Sequence, residues 1–518
     1  MTNHSENTKR IAKNTFMLYC RMLFSMLVSL YTSRVILNAL GVEDFGIQNV
    51  VGGFVSMFSL ISSSLSSSVG RFLTFELGTG DSESLKKVFS TSVLLHIVLA
   101  IIVLVLSETL GVWFLNNKMV IPENRMFAAT WVFHASILTF ILGLLSVPYD
   151  ALIVAHERMS AFAYIGILEI VLKLVIVLFI AYSPFKFDKL IVCSFLLMGL
   201  SILMRYIYVS YCRRNFNESK IIITFDKKYW KEISTFSVWN FIGCSALLLK
   251  NQGVDILLNM FYGPVVNAAR GIAVTVNGAL SKFSGNFMTA LMPQITKSYA
   301  SQDLQYSYTL VQRGSRFSFY VMIFFAFPII FETEFILDLW LKHYPDHSVN
   351  FVRLVLILSI FETLSRTLVV LLSATGNIRN YQLVVGFVSL LNFPICYIAL
   401  ASGTMPEIVF LVAIFIEIFC LLLRLLFLKK MLGFSIMSYF KNVMYNILKV
   451  SFFIIIPTLV VYKFMPQPNW KSFIVVIFVN IISSIIAVFY IGCSINERKF
   501  FLTKVNGCMQ KFFKNLRN

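Results

Sequence analysis

The stretch GIQNVVGGFVSMFSLISSSLSSSVG, residues 46–70, decides how this chain is read. It is 25 residues without a charge. At 1.5 Å per residue, a helix of that length crosses the ~30 Å apolar core of a bilayer. Eight residues between 56 and 68 are serine. Gly52, Ser56, Ser59, Ser63, Ser66 and Gly70 recur at spacings of four, three, four, three and four, which puts a stripe of small residues on one helix face. Such a stripe either lets a second helix approach closely or forms the wall of a hydrated path.

The remaining composition fixes the class. Of 518 residues, 58% are hydrophobic and 13% charged, with 51 Phe and a mean hydropathy of +0.79. Soluble proteins carry about 25% charged residues. The chain is a polytopic membrane protein. Its eight cysteines (20, 193, 212, 244, 396, 420, 493, 508) form no CxxC pair and sit mostly in apolar segments, so they read as small hydrophobes. The apolar stretch after Lys13 is too long for a signal-peptide core and contains Arg21 and Arg34, so a retained first span is expected.

Apolar runs set against polar interruptions give about fourteen spans: 12–38, 46–70, 86–111, 126–150, 159–182, 189–212, 234–260, 264–292, 315–337, 350–374, 381–402, 406–428, 444–464 and 472–492. Short connections make successive helices antiparallel. Counted by connection, 26 Lys and Arg fall on the side of the N-terminus and 7 on the other. The positive-inside rule makes the basic side, with both termini, cytoplasmic. Trp113, Trp340 and Trp470 all fall at ends on the opposite side, as interfacial anchors. The net charge of +19 is therefore topology facing anionic lipid, and no nucleic-acid partner is expected.

An internal repeat is visible. RVILNALG at 34–41 returns as DILLNMFYG at 255–263, each followed by a helix rich in small and polar residues and then a short turn, TGDSES near 79 and ASQDLQ near 300. In the later helix Asn267, Arg270, Asn277, Ser281 and Ser284 share one face, parallel to the serine stripe. Repeats six spans apart point the same way through the membrane. The expected fold is all-α, with two pseudo-twofold six-helix lobes. The first is 1–212, followed by a linker at 213–233 and a second lobe at 234–430; 431–518 adds two helices and a basic tail.

Ionisable residues inside spans are costly and usually face an interior path. Away from span ends stand Arg21, Arg34, Lys173, Arg205, Lys250, Arg270, Lys282, Arg366 and Arg424, against Glu169, Asp255, Glu362 and Glu417. Glu169 with Lys173, and Glu362 with Arg366, have the i,i+4 spacing of ion pairs. Arg205 and Arg424 are close enough to helix ends to snorkel. That leaves Arg21, Arg34, Lys250, Arg270 and Lys282, with Asp255 as the single carboxylate, all on spans one, seven and eight. A basic cavity that takes an anion is the simplest account. His96 and His134 lie mid-span and read as hydrogen-bonded structural groups; Pro148, Pro328, Pro394 and Pro457 are candidate bends.

No GxxxxGK[ST] occurs, and no DxD of the kind metal-dependent glycosyltransferases use. Loops on the opposite side are at most about fifteen residues long, too short for an external catalytic domain. A transporter without cofactor or metal is expected, not an enzyme.

The blocks NTFMLYCRMLFSMLVSLYTSRVILNALGVEDFGIQNVVGGFVSMF (14–58), RFLTFELGTGD (71–81), SVPYDALIVAHERMSAFAYI (146–165), NQGVDILLNMFYGPVVNAARGIA (251–273) and PQITKSYA (293–300) resemble bacterial polysaccharide-export flippases. These are the O-antigen and capsule flippases of the multidrug/oligosaccharidyl-lipid/polysaccharide, or MATE-like, superfamily. The likeness spans roughly the first 430 residues. It implies fourteen helices in two lobes and movement of undecaprenyl-diphosphate-linked sugar units across the bacterial inner membrane by alternating access. It also implies a lipid-linked anionic oligosaccharide and membrane lipids as partners, beside polysaccharide polymerase machinery. Substrate contact would fall to cavity cations, of which Arg21, Arg34, Arg71 and Arg270 lie in the matching blocks. Asp255 stands where an uncharged residue is expected, as a coupling or counter-charge. Two rivals remain: a cation-coupled drug antiporter of the same fold, which would want net acidic mid-membrane charge, and a polysaccharide polymerase or ligase.

Overall fold

In the computed structural model, the residues described are 2–56, 58–117, 121–183, 188–220, 226–341, 343–465, 469–495 and 497–499. Among them there is no strand. The helices are α1 (Thr2–Ser56), α2 (Ser59–Thr79), α3 (Ser82–Leu106), α4 (Met126–Ala155), α5 (Met159–Tyr182), α6 (Lys189–Asn215) and α7 (Lys227–Ala300). They continue as α8 (Leu304–Phe331), α9 (Thr333–Leu341), α10 (Ser348–Ala374), α11 (Arg379–Leu390), α12 (Asn392–Ala401), α13 (Ile408–Leu432), α14 (Tyr445–Phe464) and α15 (Trp470–Ala487). Each of the fourteen expected spans coincides with helix. Eleven helices are long and apolar enough to cross a membrane by composition alone. Spans one, two and eight are not among these, and they are the ones that hold the serine stripe and most of the unpaired cations.

The sequence repeat has a backbone counterpart. Gly41 in α1 has φ 82°, ψ 170°, and Gly263 in α7 has φ 78°, ψ −173°. Each glycine separates two helical halves at a conformation side chains with a Cβ avoid. Other boundaries follow local chemistry. Gly80, left-handed at φ 81°, ends α2, and Asp81 caps α3 through Glu83 N and Ser84 N, so the GD of the first turn stops one helix and starts the next. Helix continues through Pro148, Pro328 and Pro457, whereas the chain breaks at Leu391 ahead of Pro394. Trp113, Trp340 and Trp470 are all more than half exposed, in keeping with an interfacial place.

By packing, residues 1–245, 289–307 and 373–383 form one compact unit, and 246–288, 308–372 and 384–518 a second. In the first, Ile36 packs with Val177, Ile180 and Cys193, while beyond Gly41, Ile47, Val51 and Val55 pack with Ala128, Val132 and Phe133. Arg125 clamps three elements, donating to Asp44 (2.8 and 2.6 Å) and to Asp188 (2.6 Å), which also caps α6 through Leu190 N. Segment 289–307 is held by Glu157, whose buried carboxylate accepts from Lys297 Nζ (2.9 Å), Gln294 Nε2 (2.5 Å) and Arg10 Nε (2.9 Å). In the second unit the hydroxyl of the buried Tyr439 donates to Leu364 O (3.2 Å), fixing the entry to α14 against α10.

Two outcomes follow. Gly41→Ala and Gly263→Ala should each lower stability by about 1–2 kcal/mol through the positive φ, whereas Gly271→Ala, a helical site with open space around it, should not. Thermal unfolding of the purified variants reads this. Burial alone would raise the Asp188 carboxyl, but the bonds from Arg125 and the α6 backbone hold it below the usual range. Its contribution is therefore present above the ordinary carboxylate value of about 4 and lost as pH falls below it. Melting temperature should fall less steeply with acid in Asp188→Asn than in the parent.

Candidate functional site

The intramembrane charges of the second unit are organised by the turn at Gly263. Arg270 and Asp255 are fifteen positions apart, which on a straight helix is about 22 Å. They nevertheless form an ion pair, and Arg270 Nη2 also donates to Asn251 O at 3.1 Å. Asp255 lies eight residues before the glycine and Arg270 seven after it. The two halves of α7 are therefore an antiparallel hairpin. This corrects the expectation that Arg270 is unpaired: the reversal, invisible to i,i+4 spacing, brings its counter-charge alongside.

A second pair lies deeper. Arg424 Nη1 reaches Glu417 Oε1 at 2.6 Å and Ser365 Oγ at 2.8 Å, while Ser365 donates to the same carboxylate at 2.8 Å. Arg424 is 7% exposed, so it is buried rather than snorkelling. Glu362 makes no ion pair with Arg366. Its charged neighbours are Glu417, Lys250, Arg366 and Arg424. Lys250 is buried beside it; Lys282 is exposed. Asn277 accepts from Ser359 Oγ (2.5 Å) and Ser281 Oγ (3.2 Å), and Asn267 keeps a buried Oδ1 without a partner. The second unit thus sets Lys250, Arg270, Lys282, Arg366 and Arg424 against Asp255, Glu362 and Glu417.

The first unit repeats the theme. Arg21 lies over the Phe162 ring at 4.4 Å, and Gly166 makes room for it: a Cβ there would sit 2.5 Å from Arg21 Nε. Arg205 packs on Tyr149 at 4.7 Å and does not reach outward. Between them is Asp150, missed because the apolar run seemed to end there; α4 continues to Ala155. Asp150 has a buried Oδ1 without a hydrogen bond, and its charged neighbours are Glu169, Arg21 and Arg205. Glu169 and Lys173 form no ion pair. The sequence signal was a carboxylate two residues after Pro148 in a helix with no stop signal. His96 is buried and bonded through Nδ1 to Ser92 O (2.8 Å), as expected, whereas His134 pairs with Glu108 (3.0 Å).

Arg71, expected among the cavity cations, lies within the first unit. Its Nη2 donates to Ala374 O at 2.7 Å, closing the end of α10, and its guanidinium lies 4.5 and 4.7 Å from the Phe72 and Phe75 rings. The serine stripe is shifted in register. Ser59 and Ser63 are exposed, while Ser64 and Ser68 are buried and Ser64 donates to Ser237 O at 2.7 Å. Close packing uses the neighbouring face, which leaves Ser59 and Ser63 on an accessible one. The side chains of Arg34 and Ser56 lie outside the described residues.

Two of these cations, Arg270 and Arg424, are paired with carboxylates, and Arg21 and Arg205 are held against aromatic rings. Arg270→Ala should lower folded yield by leaving Asp255 uncompensated, and adding Asp255→Asn should recover most of it. Size-exclusion profiles of the purified variants read this; no recovery would mean the arginine acts through something other than the pair.

The class of protein now follows. This is an all-α, multi-pass membrane protein with a transporter fold. It is similar to an outward-facing multidrug-resistance MATE family transporter of the MOP superfamily, with TM-score 0.71 and 11% identity, covering 82% of this chain and 95% of that one. A MATE protein in its straight conformation gives 0.70 and 11%, over 82% and 96%. A MOP superfamily transporter from Pyrococcus furiosus, described as having a binding pocket of reversed polarity, gives 0.67 and 12%, over 81% and 95%. No curated protein matches the sequence. The family model for polysaccharide biosynthesis proteins matches residues 11–299, more than half of the chain, and the chain belongs to that family.

Proposed function

We propose that this protein moves a lipid-linked anionic oligosaccharide, an undecaprenyl-diphosphate-linked repeat unit, across the bacterial inner membrane by alternating access. The observation that carries this reading is the union of the polysaccharide biosynthesis family with a MATE-like transporter fold in one chain. The buried cations support it. Guanidinium groups hold phosphate through paired hydrogen bonds, and Arg21 and Arg270 already hold positions beside exchangeable carboxylates. Lys250, Lys282 and Arg34 complete the proposed set, with Asp255 as the resident counter-charge. Ser59, Ser63, Asn267 and Asn277 supply polar lining.

The basic side is taken as cytoplasmic, with both termini there. The diphosphate enters from that side while the prenyl tail stays in lipid. An inside-negative potential favours outward movement of two negative charges by ~4.6 kcal/mol per 100 mV. Phosphate displacing Asp255 from Arg270 keeps the guanidinium compensated throughout.

In vesicles reconstituted with the full-length chain, a defined undecaprenyl-diphosphate oligosaccharide should become accessible on the far leaflet. Arg270→Ala should reduce the rate at least tenfold, with Lys restoring part of it. Arg270→Ala with Asp255→Asn should be folded and still inactive. Recovery of transport in that double variant would remove Arg270 from the substrate path, and transport of cationic drugs instead of the lipid would overturn the reading.

A further inference from the structure

The two helices outside the repeat carry a site of their own. α8 begins on the basic side, α14 begins there after a π-helical turn at Phe440–Met444, and α15 ends there through another at Val488–Gly492. Their ends enclose a cavity of about 300 Å³ lined by Gln312, Arg313, Arg316, Asn442, Asn446 and Glu497. The residues that line it all belong to the second unit. That volume is at the lower end of the range for small-ligand pockets. Both π turns reach the lining, through Asn442 and Gly492. Such turns are rare and concentrate at functional sites, because the extra residue releases backbone groups and redirects side chains.

Guanidinium groups outnumber carboxylates here. Arg316 is 9% exposed; it donates to Gly492 O (3.1 Å) and Glu497 Oε1 (3.0 Å), and its Nε has no partner. Arg313 Nε meets the same carboxylate oxygen at 3.1 Å with its side chain 37% exposed. Arg498 adds a third positive group beside the cavity, donating to Tyr490 O (2.7 Å) and Cys493 O (3.0 Å). Two arginines thus share one carboxylate, with a third bonded to backbone nearby, amides at the rim and one buried N–H unused. A buried donor left without an acceptor is costly. The place is where helices on the basic side meet the headgroup layer.

We propose that this cavity binds a phosphate group, recognised by Arg313 and Arg316 with Asn442 at the rim, and that the phosphate is carried by an anionic ligand at the membrane surface. Two sources share this chemistry: the headgroup of an anionic phospholipid and a soluble phosphate. The proposal does not rest on the transport reading, because the readout is retention of ligand.

The full-length protein in neutral detergent is mixed with phosphatidylglycerol or phosphatidylcholine, and bound lipid is counted by native mass spectrometry. Pyrophosphate is titrated separately against melting temperature. Preferential retention of phosphatidylglycerol is expected. Arg313→Gln should weaken it about tenfold, the effect of one lost charged hydrogen bond. Asn442→Leu, at an exposed rim position, should weaken it without changing charge. Stabilisation by pyrophosphate that competes with the lipid supports the same site with a soluble source. Equal retention of both lipids with no pyrophosphate effect overturns the proposal, as does undiminished phosphatidylglycerol binding in both variants.

Discussion

A charge enclosed by apolar side chains and lipid must keep a counter-charge or a full set of hydrogen bonds, and this constraint shapes the structure at every level. Removing one member of a buried pair costs about 3–5 kcal/mol, far more than the pair contributes beyond an apolar replacement. Glu157 is satisfied from Arg10, Gln294 and Lys297, Arg424 from Glu417 and Ser365, and Arg270 from Asp255 and Asn251. These groups come from segments distant in sequence, so charge compensation also specifies which helices lie together.

The same constraint bears on transport. A cation without a partner would be trapped in whichever state supplied one. A cation that exchanges a carboxylate for a phosphate is compensated before, during and after, so the two states stay close in energy. Rocking of a transporter needs a near balance of this kind. Asp255 is 35% exposed while Arg270 is 8% exposed at its side chain, so the carboxylate is the more accessible member of the pair.

Much of this was legible in the sequence, and what failed did so for identifiable reasons. Hydrophobic period and basic-residue asymmetry located all fourteen helices, because length and desolvation are local properties. The paired motifs at 34–41 and 255–263 located both glycine reversals. Asp255 could be named as a counter-charge, but helical spacing could not assign it to Arg270, because the contact runs across a hairpin where a spacing of fifteen has no helical meaning. Asp150 was hidden by a boundary drawn five residues early, and the serine stripe was read one residue out of register with Ser64 and Ser68. Adjacent positions on a helix differ by about 100° in direction, and eight serines among the thirteen residues 56–68 leave composition unable to choose among them.

The C-terminal helices show a further way that pattern and structure part. Both read as plain apolar spans, and hydropathy has no term for a π turn. The turn at Val488–Gly492 ends its helix, where the last carbonyls have no intrahelical partner, and arginines take them: Tyr490 O and Cys493 O go to Arg498, Gly492 O to Arg316. Gly492 is required for a second reason, since a Cβ there would lie 2.9 Å from the Tyr320 ring. The helix end therefore holds Arg316 and Arg498 on its own carbonyls, beside the cavity that Arg313 and Glu497 also line.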